Sequence, residues 1–178
     1  MLGWHGASSL AAMQIGGALE WSIWSVFAAF EVGTVARVGR HVGAGDRAGA
    51  RRAAWLSLAM ALGLGTLLAV ATPVILSALP LVTESVSDAA LSEASRYLGV
   101  TIAASPLVFI AATATATLQA GGDTRTPLVI GVFANIVHIG LNRILILGAF
   151  GVVPAMGARG AGISTAVTFG IEAAFATL

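Results

Sequence analysis

Residues 53–79 read AAWLSLAMALGLGTLLAVATPVILSAL, and this run decides the fold. It carries no charged side chain and exceeds the roughly 20 apolar residues that take a helix across a bilayer. In hydrocarbon every backbone N–H and C=O must find its partner within the protein, so only helices and closed barrels cross. Barrel strands would alternate apolar and polar over about 10 residues. This run is continuous, so it reads as a membrane helix, with Pro73 inside it and Pro80 closing it.

Working outward, four more stretches read the same way. One runs over about 16–38 and is rich in Trp21, Trp24, Phe27 and Phe30, with two acids, Glu20 and Glu31. Another covers about 93–118 with Pro106 in its middle. The next starts at Pro127, a residue suited to the first turn of a helix, and continues to about Phe150. The last starts near Gly160 and is still apolar at Leu178. The expected architecture is an all-α integral membrane protein, a polytopic helical bundle of five transmembrane helices. A span ending without cap or polar flank is expected to belong to a larger protein.

Composition agrees. Hydrophobic residues make up 57 % of the 178 and charged residues 10 %, against about 25 % charged in ordinary chains. Such a chain cannot cover itself with polar surface, so most of its surface is expected to face lipid. A net charge of +1 gives no bulk attraction to nucleic acid, and the absence of Cys excludes disulfides and thiolate metal sites. Met1–Ala12 shows no basic n-region and no clear cleavage site, so no signal peptide is expected.

The polar breaks give an orientation. Arg37, Arg40, Arg47, Arg51 and Arg52 stand against a single Asp46 between the first two spans. Glu84, Asp88 and Glu93 lie between the second and third, with Arg96 just beyond. Basic residues in short loops remain cytoplasmic. The Arg loop is therefore placed inside, the acidic loop outside, the Asp123–Arg125 turn inside and the Phe150–Arg159 loop outside, with Arg159 against the rule.

Both inner breaks are built alike. The first reads Arg40-His41-Val42-Gly43-Ala44-Gly45-Asp46-Arg47, where Gly43 and Gly45 allow a tight reversal and Asp46 caps the next helix. The second reads Gln119-Ala120-Gly121-Gly122-Asp123-Thr124-Arg125-Thr126-Pro127, with glycines to turn, Asp or Thr to cap and Pro to restart. Together with Met156-Gly157-Ala158-Arg159-Gly160-Ala161-Gly162-Ile163-Ser164-Thr165, these motifs resemble, in order and spacing, the multidrug and toxic compound extrusion (MATE) family of cation-coupled transporters. The marked positions are Arg40, Gly43, Gly45 and Asp46, then Gly121, Asp123, Thr124, Arg125 and Pro127.

The resemblance implies twelve helices in two six-helix lobes about a central cavity, alternately open to either side. The five spans would be helices two to six of the first lobe, the second lobe being absent. The family's Asn-x-x-Asn-x-x-x-Asp on helix five, which contributes to cation binding, reads here Asn135, His138 and Asn142. The first position matches and the other two depart, so a carboxylate is replaced by an amide, and His138 could titrate instead. The alternative is that Asn135 and Asn142 hydrogen-bond between helices.

Other polar groups at membrane depth carry similar pairs of readings. Glu31 and Glu172 are either cavity carboxylates or structural, and Glu20 is read as interfacial at the helix start. Arg143 pairs with Glu31 or Glu172, or snorkels to the outer interface. Thr113 and Thr117 share a face, as do Thr101 and Ser105; they line a polar cavity or bond back to carbonyls around the Pro106 kink. Trp21 and Trp24 form an interfacial belt or stack on an aromatic cation. Gly63, Gly65, Gly131, Gly157, Gly160 and Gly162 are expected to let helices approach closely.

No enzyme signature is present. His5, His41 and His138 are isolated, there is no Lys to hold a phosphate, and Gly43-Ala44-Gly45 lacks the strand a nucleotide loop needs. The expected function is that of a cation-coupled secondary multidrug exporter, acting by alternating access. It uses no cofactor beyond a coupling H⁺ or Na⁺. Expected partners are the lipid bilayer, small organic cationic substrates and the missing second lobe, and the expected location is the plasma (inner) membrane of a prokaryote. Two alternatives stand: a lipid-linked oligosaccharide flippase of related architecture, whose phosphates would need a cationic cavity, or a truncated, non-transporting membrane protein.

Overall fold

The computed structural model describes residues 7–82, 87–149 and 153–177. Six helices account for nearly all of them: α1 (Ala7–Gly43), α2 (Arg47–Val82), α3 (Asp88–Ala103), α4 (Ser105–Ala120), α5 (Arg125–Leu147) and α6 (Gly157–Ala176). Glu84, Phe150, His5, Met1 and the expected end at Leu178 lie outside the described residues.

The expected third span is two helices. Pro106 has no N–H to return to the Ile102 carbonyl, so the ladder breaks there. The Ser105 hydroxyl takes over, donating to Ile102 O at 2.6 Å. Thr101 Oγ1 donates to Leu98 O at 3.5 Å one turn earlier. The axis bends by 52° at this break. Each half has 16 residues and measures about 24 Å, too short alone for the roughly 30 Å hydrocarbon core.

Among the described residues, α2 and α5 are long and apolar enough to cross a membrane on length and composition alone, and the bent pair makes three if taken as one span. The expected first and fifth spans, α1 and α6, fall short of that measure for a physical reason. Glu20 and Glu31 interrupt α1, and Arg159, Glu172 and a run of Gly, Ser and Thr dilute α6.

The helices pack around two apolar centres. One joins Leu79, Leu98, Ile102, Ile146 and Ala161 from α2, α3, α5 and α6. The other stacks Phe27 of α1 on Phe109 of α4, centroids 3.7 Å apart and 9° from parallel, over Ala61 of α2. Meanwhile Trp55, Leu67, Val70, Val74, Leu128 and Ile136 stand exposed along α2 and α5. Large apolar side chains left facing outward suit a bundle bathed in lipid, where close packing rather than water exclusion holds helices together.

Three of the six glycines expected at close approaches make them. A Cβ on Gly65 would lie 2.6 Å from Pro106 Cα, one on Gly160 2.6 Å from the Leu145 carbonyl oxygen, and one on Gly162 3.1 Å from Tyr97 O. Gly63 and Gly131 meet nothing within 4 Å, so they face open surface rather than a partner helix. Gly157 instead starts α6 with a φ of 54°. We predict that Gly65→Ala lowers stability by about 1–3 kcal/mol, because the Pro106 backbone cannot yield. Gly63→Ala leaves it unchanged; thermal melting of both variants in detergent checks the contrast.

Candidate functional site

Both Arg-flanked turns close with the same hydrogen bonds. After α1, Asp46 N donates to His41 O (2.9 Å) and Gly45 N to Val42 O (3.0 Å), with Gly45 at φ 70°. After α4, Asp123 N donates to Leu118 O (3.0 Å) and Gly122 N to Gln119 O (2.9 Å), with Gly122 at φ 91°. This paired pattern satisfies the last carbonyls of a helix and needs a left-handed residue. The glycines that the turns require are therefore Gly45 and Gly122; Gly43 is the last residue of α1, and Gly121 keeps a helical φ of −76°.

The Asp following each left-handed glycine caps the next helix. Asp46 Oδ1 accepts from Gly49 N at 2.8 Å, and Asp123 Oδ1 accepts from Arg125 N and Thr126 N at 3.0 Å each. Thr124 contributes no side-chain cap, and Pro127 lies in the first turn of α5. At the first turn His41 Nδ1 meets Asp46 Oδ2 at 3.0 Å. Gly49 is buried beneath this clasp, and any Cβ there would collide with Asp46 and His41. The Gly49 amide and His41 hold the Asp46 carboxyl below its ordinary 3.8, and Thr126 does the same for Asp123. Around them Arg37, Arg40, Arg47, Arg51, Arg52 and Arg125 are all exposed.

Between α1, the α3–α4 bend and α6 lies a cleft of about 270 Å³. Its walls include Trp21, Trp24 and Phe169, and its polar groups include Glu20, Thr101 and Ser105. Tyr97 Oη donates to Glu20 Oε2 at 2.7 Å, tying α1 to α3. Glu20 thus stands in a hollow rather than merely at a helix start. Trp21 is 71 % exposed while Trp24 is half-buried, so the pair divides between surface and cleft. Tyr97 went unread in the sequence: a single Tyr 77 residues from its partner offers no local signal.

The third feature is the seam between α5 and α6. His138 Nδ1 lies 3.0 Å from Thr168 Oγ1 and 3.2 Å from Ser164 Oγ. Ser164 Oγ also donates to the His138 carbonyl at 3.2 Å, and Thr168 Oγ1 to the Ser164 carbonyl at 2.8 Å. Ser164 and Thr168 are buried. On the same face of α5, Asn135 is exposed, whereas Asn142 Oδ1 is buried without a hydrogen-bond partner. Thr113 Oγ1 on α4 is likewise buried and unpartnered, and Thr117 Oγ1 donates back to Thr113 O at 2.7 Å. A buried acceptor left open is costly and uncommon in folded proteins.

The remaining acids do not converge on a shared site. Glu31 and Glu172 are half-buried on α1 and α6. Arg143 is exposed and forms no ion pair with either among the described residues, correcting that expectation. It sits one turn from the end of α5, close enough for its long stem to carry the guanidinium to the interface. Among the described residues no cluster of three or more His, Cys, Asp or Glu is arranged to hold a metal.

Comparison with known proteins places this geometry. The MatE family model matches residues 1–144. The Thermotoga maritima protein described as "Probable multidrug resistance protein NorM" is 30 % identical over 167 residues, covering 92 % of this chain and 35 % of that protein. An outward-facing MATE family transporter of the MOP superfamily superposes with a TM-score of 0.87 at 25 % identity, covering 97 % of this chain and 37 % of its own. A MATE structure in a bent conformation gives a TM-score of 0.87 at 24 % identity, covering 99 % and 38 %. The chain therefore spans about a third of the length of the relatives it matches.

The lowered carboxyls set a pH dependence. A group whose folded pKa lies below its unfolded value stabilises the fold above the unfolded pKa and ceases to as pH falls through the folded one. Stability from Asp46 and Asp123 is thus full above about pH 4 and is lost on further acidification. Asp46→Asn with Asp123→Asn, which keep the caps but not the charges, should flatten the melting temperature between pH 5 and pH 3 relative to wild type.

Proposed function

Since the chain belongs to the MatE family of multi-pass membrane transporters, we propose that it supplies first-lobe helices of a cation-coupled multidrug exporter in a prokaryotic plasma membrane. In this reading α1, α2, the bent α3–α4 pair, α5 and α6 each cross the bilayer, and the Arg-flanked turns face the cytoplasm. Transport exchanges an inward gradient of H⁺ or Na⁺ for outward movement of organic cations, by rocking of this lobe against a second one.

The observation carrying the substrate reading is the cleft beside Glu20. A carboxylate at the mouth of an apolar hollow walled by Trp21, Trp24 and Phe169 suits a flat organic cation, which gains from both the charge and the aromatic faces. Tyr97 orients the carboxylate by donating to it, leaving the other oxygen for the ligand. Among its lining residues the cleft holds no Arg, so it lacks the positive charge that a phosphate-bearing lipid-linked sugar would require. That disfavours the flippase alternative. We assign the ion side of the exchange to the α5–α6 seam, where His138 meets Ser164 and Thr168 and Asn135 and Asn142 share its face of α5, with Thr113, Thr117, Glu31 and Glu172 as further polar groups at depth.

Two measurements check this reading. Tetraphenylphosphonium should bind the purified chain, and Glu20→Gln should weaken binding about tenfold, equivalent to about 1.4 kcal/mol; equal binding by both forms would remove the cleft from the mechanism. A Cys in place of Arg47 should resist an impermeant maleimide added outside intact cells and react once the membrane is opened. Labelling from outside would invert the topology.

A further inference from the structure

A second hollow opens between α1, α2 and α4, with Ile23 and Phe109 lining both it and the cleft at Glu20. It measures about 570 Å³, and its walls include Val26 and Phe30 of α1 and Leu64 and Leu67 of α2. The stacked rings of Phe27 and Phe109 form its floor. Every residue lining it is apolar, so a polar occupant would find no hydrogen-bond partner there. Val26 and Leu67 are exposed on the two helices that flank it, so the groove is open at the surface.

From the groove a stripe leads to the Arg-flanked end of α1. Val26, Phe30, Gly33 and Arg37 follow at spacings of four, three and four, and so share one side of the helix. Gly33 leaves that stripe bare between groove and charge: a Cβ there would meet nothing within 4 Å. By helical rise Phe30 lies about 10 Å and Val26 about 16 Å from the level of Arg37. Arg37 is exposed and forms no ion pair among the described residues. Arg40 follows one turn on, and Arg47, Arg51 and Arg52 are exposed at the adjoining start of α2. The acids nearby do not answer these charges. Glu31 projects about 120° around α1 from Arg37, and Asp46 is committed to Gly49 N and His41.

We propose that this stripe seats an anionic phospholipid of the surrounding bilayer, its phosphate on Arg37 and Arg40 and one acyl chain running over Gly33 into the groove. The occupant must be hydrocarbon along the groove and negatively charged about 10 Å beyond it. A membrane lipid with an anionic headgroup has both parts in that order. Guanidinium suits the head, since it pairs with phosphate through two parallel N–H donors. Depth suits the tail: half of the roughly 30 Å hydrocarbon core is about 15 Å, so a chain hanging from a headgroup at Arg37 ends beside Val26. A zwitterionic lipid offers the same tail, but its own cation offsets the attraction to the arginines. The seated chain packs on α1 and α2 at once and braces one against the other, as a buried side chain would. This role is independent of the compound that the exporter carries and of the ion that drives it.

Native mass spectrometry of the chain in detergent, with dioleoyl-phosphatidylglycerol and dioleoyl-phosphatidylcholine supplied in equal amounts, tests the assignment. The wild type should retain phosphatidylglycerol in preference; equal retention of the two overturns the proposal. Arg37→Gln should reduce that preference about fivefold, and an unchanged preference removes Arg37 from the site. Gly33→Phe lays a ring across the path and should lower retention of both lipids. Gly131→Phe, at an equally open position on α5, should leave retention as it was. Retention undiminished by Gly33→Phe, or diminished equally by both variants, takes the tail out of the groove. Dihexanoyl-phosphatidylglycerol, whose tails are too short to enter the groove, should be held far more weakly than the dioleoyl lipid. Equal retention of the short and long lipids would leave the arginines alone as the binding surface and overturn the proposal. A dimer in detergent that Val26→Gln separates, and that phosphatidylglycerol does not, would assign the groove to a second copy of the chain and overturn it as well.

Discussion

A proline without an amide hydrogen, set in the middle of a long apolar helical stretch, is the constraint around which the bundle is arranged. Pro106 leaves the Ile102 carbonyl without its helical donor. The Ser105 hydroxyl repairs the loss at 2.6 Å, and the chain bends 52° instead of unravelling. The bend lets one continuous stretch serve different neighbours. Above it α3 meets α1 through Tyr97 and Glu20, and below it α4 meets α2 where Gly65 seats against the Pro106 backbone. Helix α6 then packs along both halves. The cleft exists because two rods meeting at an angle cannot be covered by a third straight one.

At the Arg-flanked end a different economy holds. Each reversal there must end one helix, start another and remain in contact with water. One left-handed glycine followed by one aspartate does all of this, the glycine closing the carbonyls behind it and the carboxylate closing the amides ahead. With both aspartates committed to backbone amides, Asp46 also to His41, the six exposed guanidiniums around the turns form no ion pair among the described residues. These hydrogen bonds close both short turns, so the helices they join are held as fixed pairs.

Much of this was readable from residue order. Long uncharged runs, the breaks between them and the Asp caps follow from local chemistry, because a helix in lipid has few alternatives. The Pro106 kink was readable, and of the two readings open for Thr101 and Ser105, bonding back to carbonyls and lining a polar cavity, both hold: Ser105 bonds the orphaned Ile102 carbonyl, Thr101 the Leu98 carbonyl, and both line the cleft. What could not be read depends on contacts across the fold. Gly63 and Gly65 are two residues apart and alike in sequence, yet only Gly65 meets a partner helix. Glu20 and Tyr97 are joined by the packing of α1 on α3. Gly49 looks like any small helical residue until the His41–Asp46 clasp is laid over it. Arg143, whose charge suggested an ion-pair partner, is instead exposed near the end of its helix.

The α5–α6 seam shows how a polar site is made inside an apolar bundle without fixed charge. A buried ion needs a counter-ion or it neutralises itself, whereas hydroxyls and a neutral imidazole cost little so long as each hydrogen has an acceptor. Ser164 and Thr168 meet that condition by donating to backbone carbonyls, with both hydroxyl oxygens within hydrogen-bond reach of the ring's Nδ1. The amides on either side of His138 add dipoles without charge, and the unpartnered Asn142 Oδ1 leaves an open acceptor one turn from the ring.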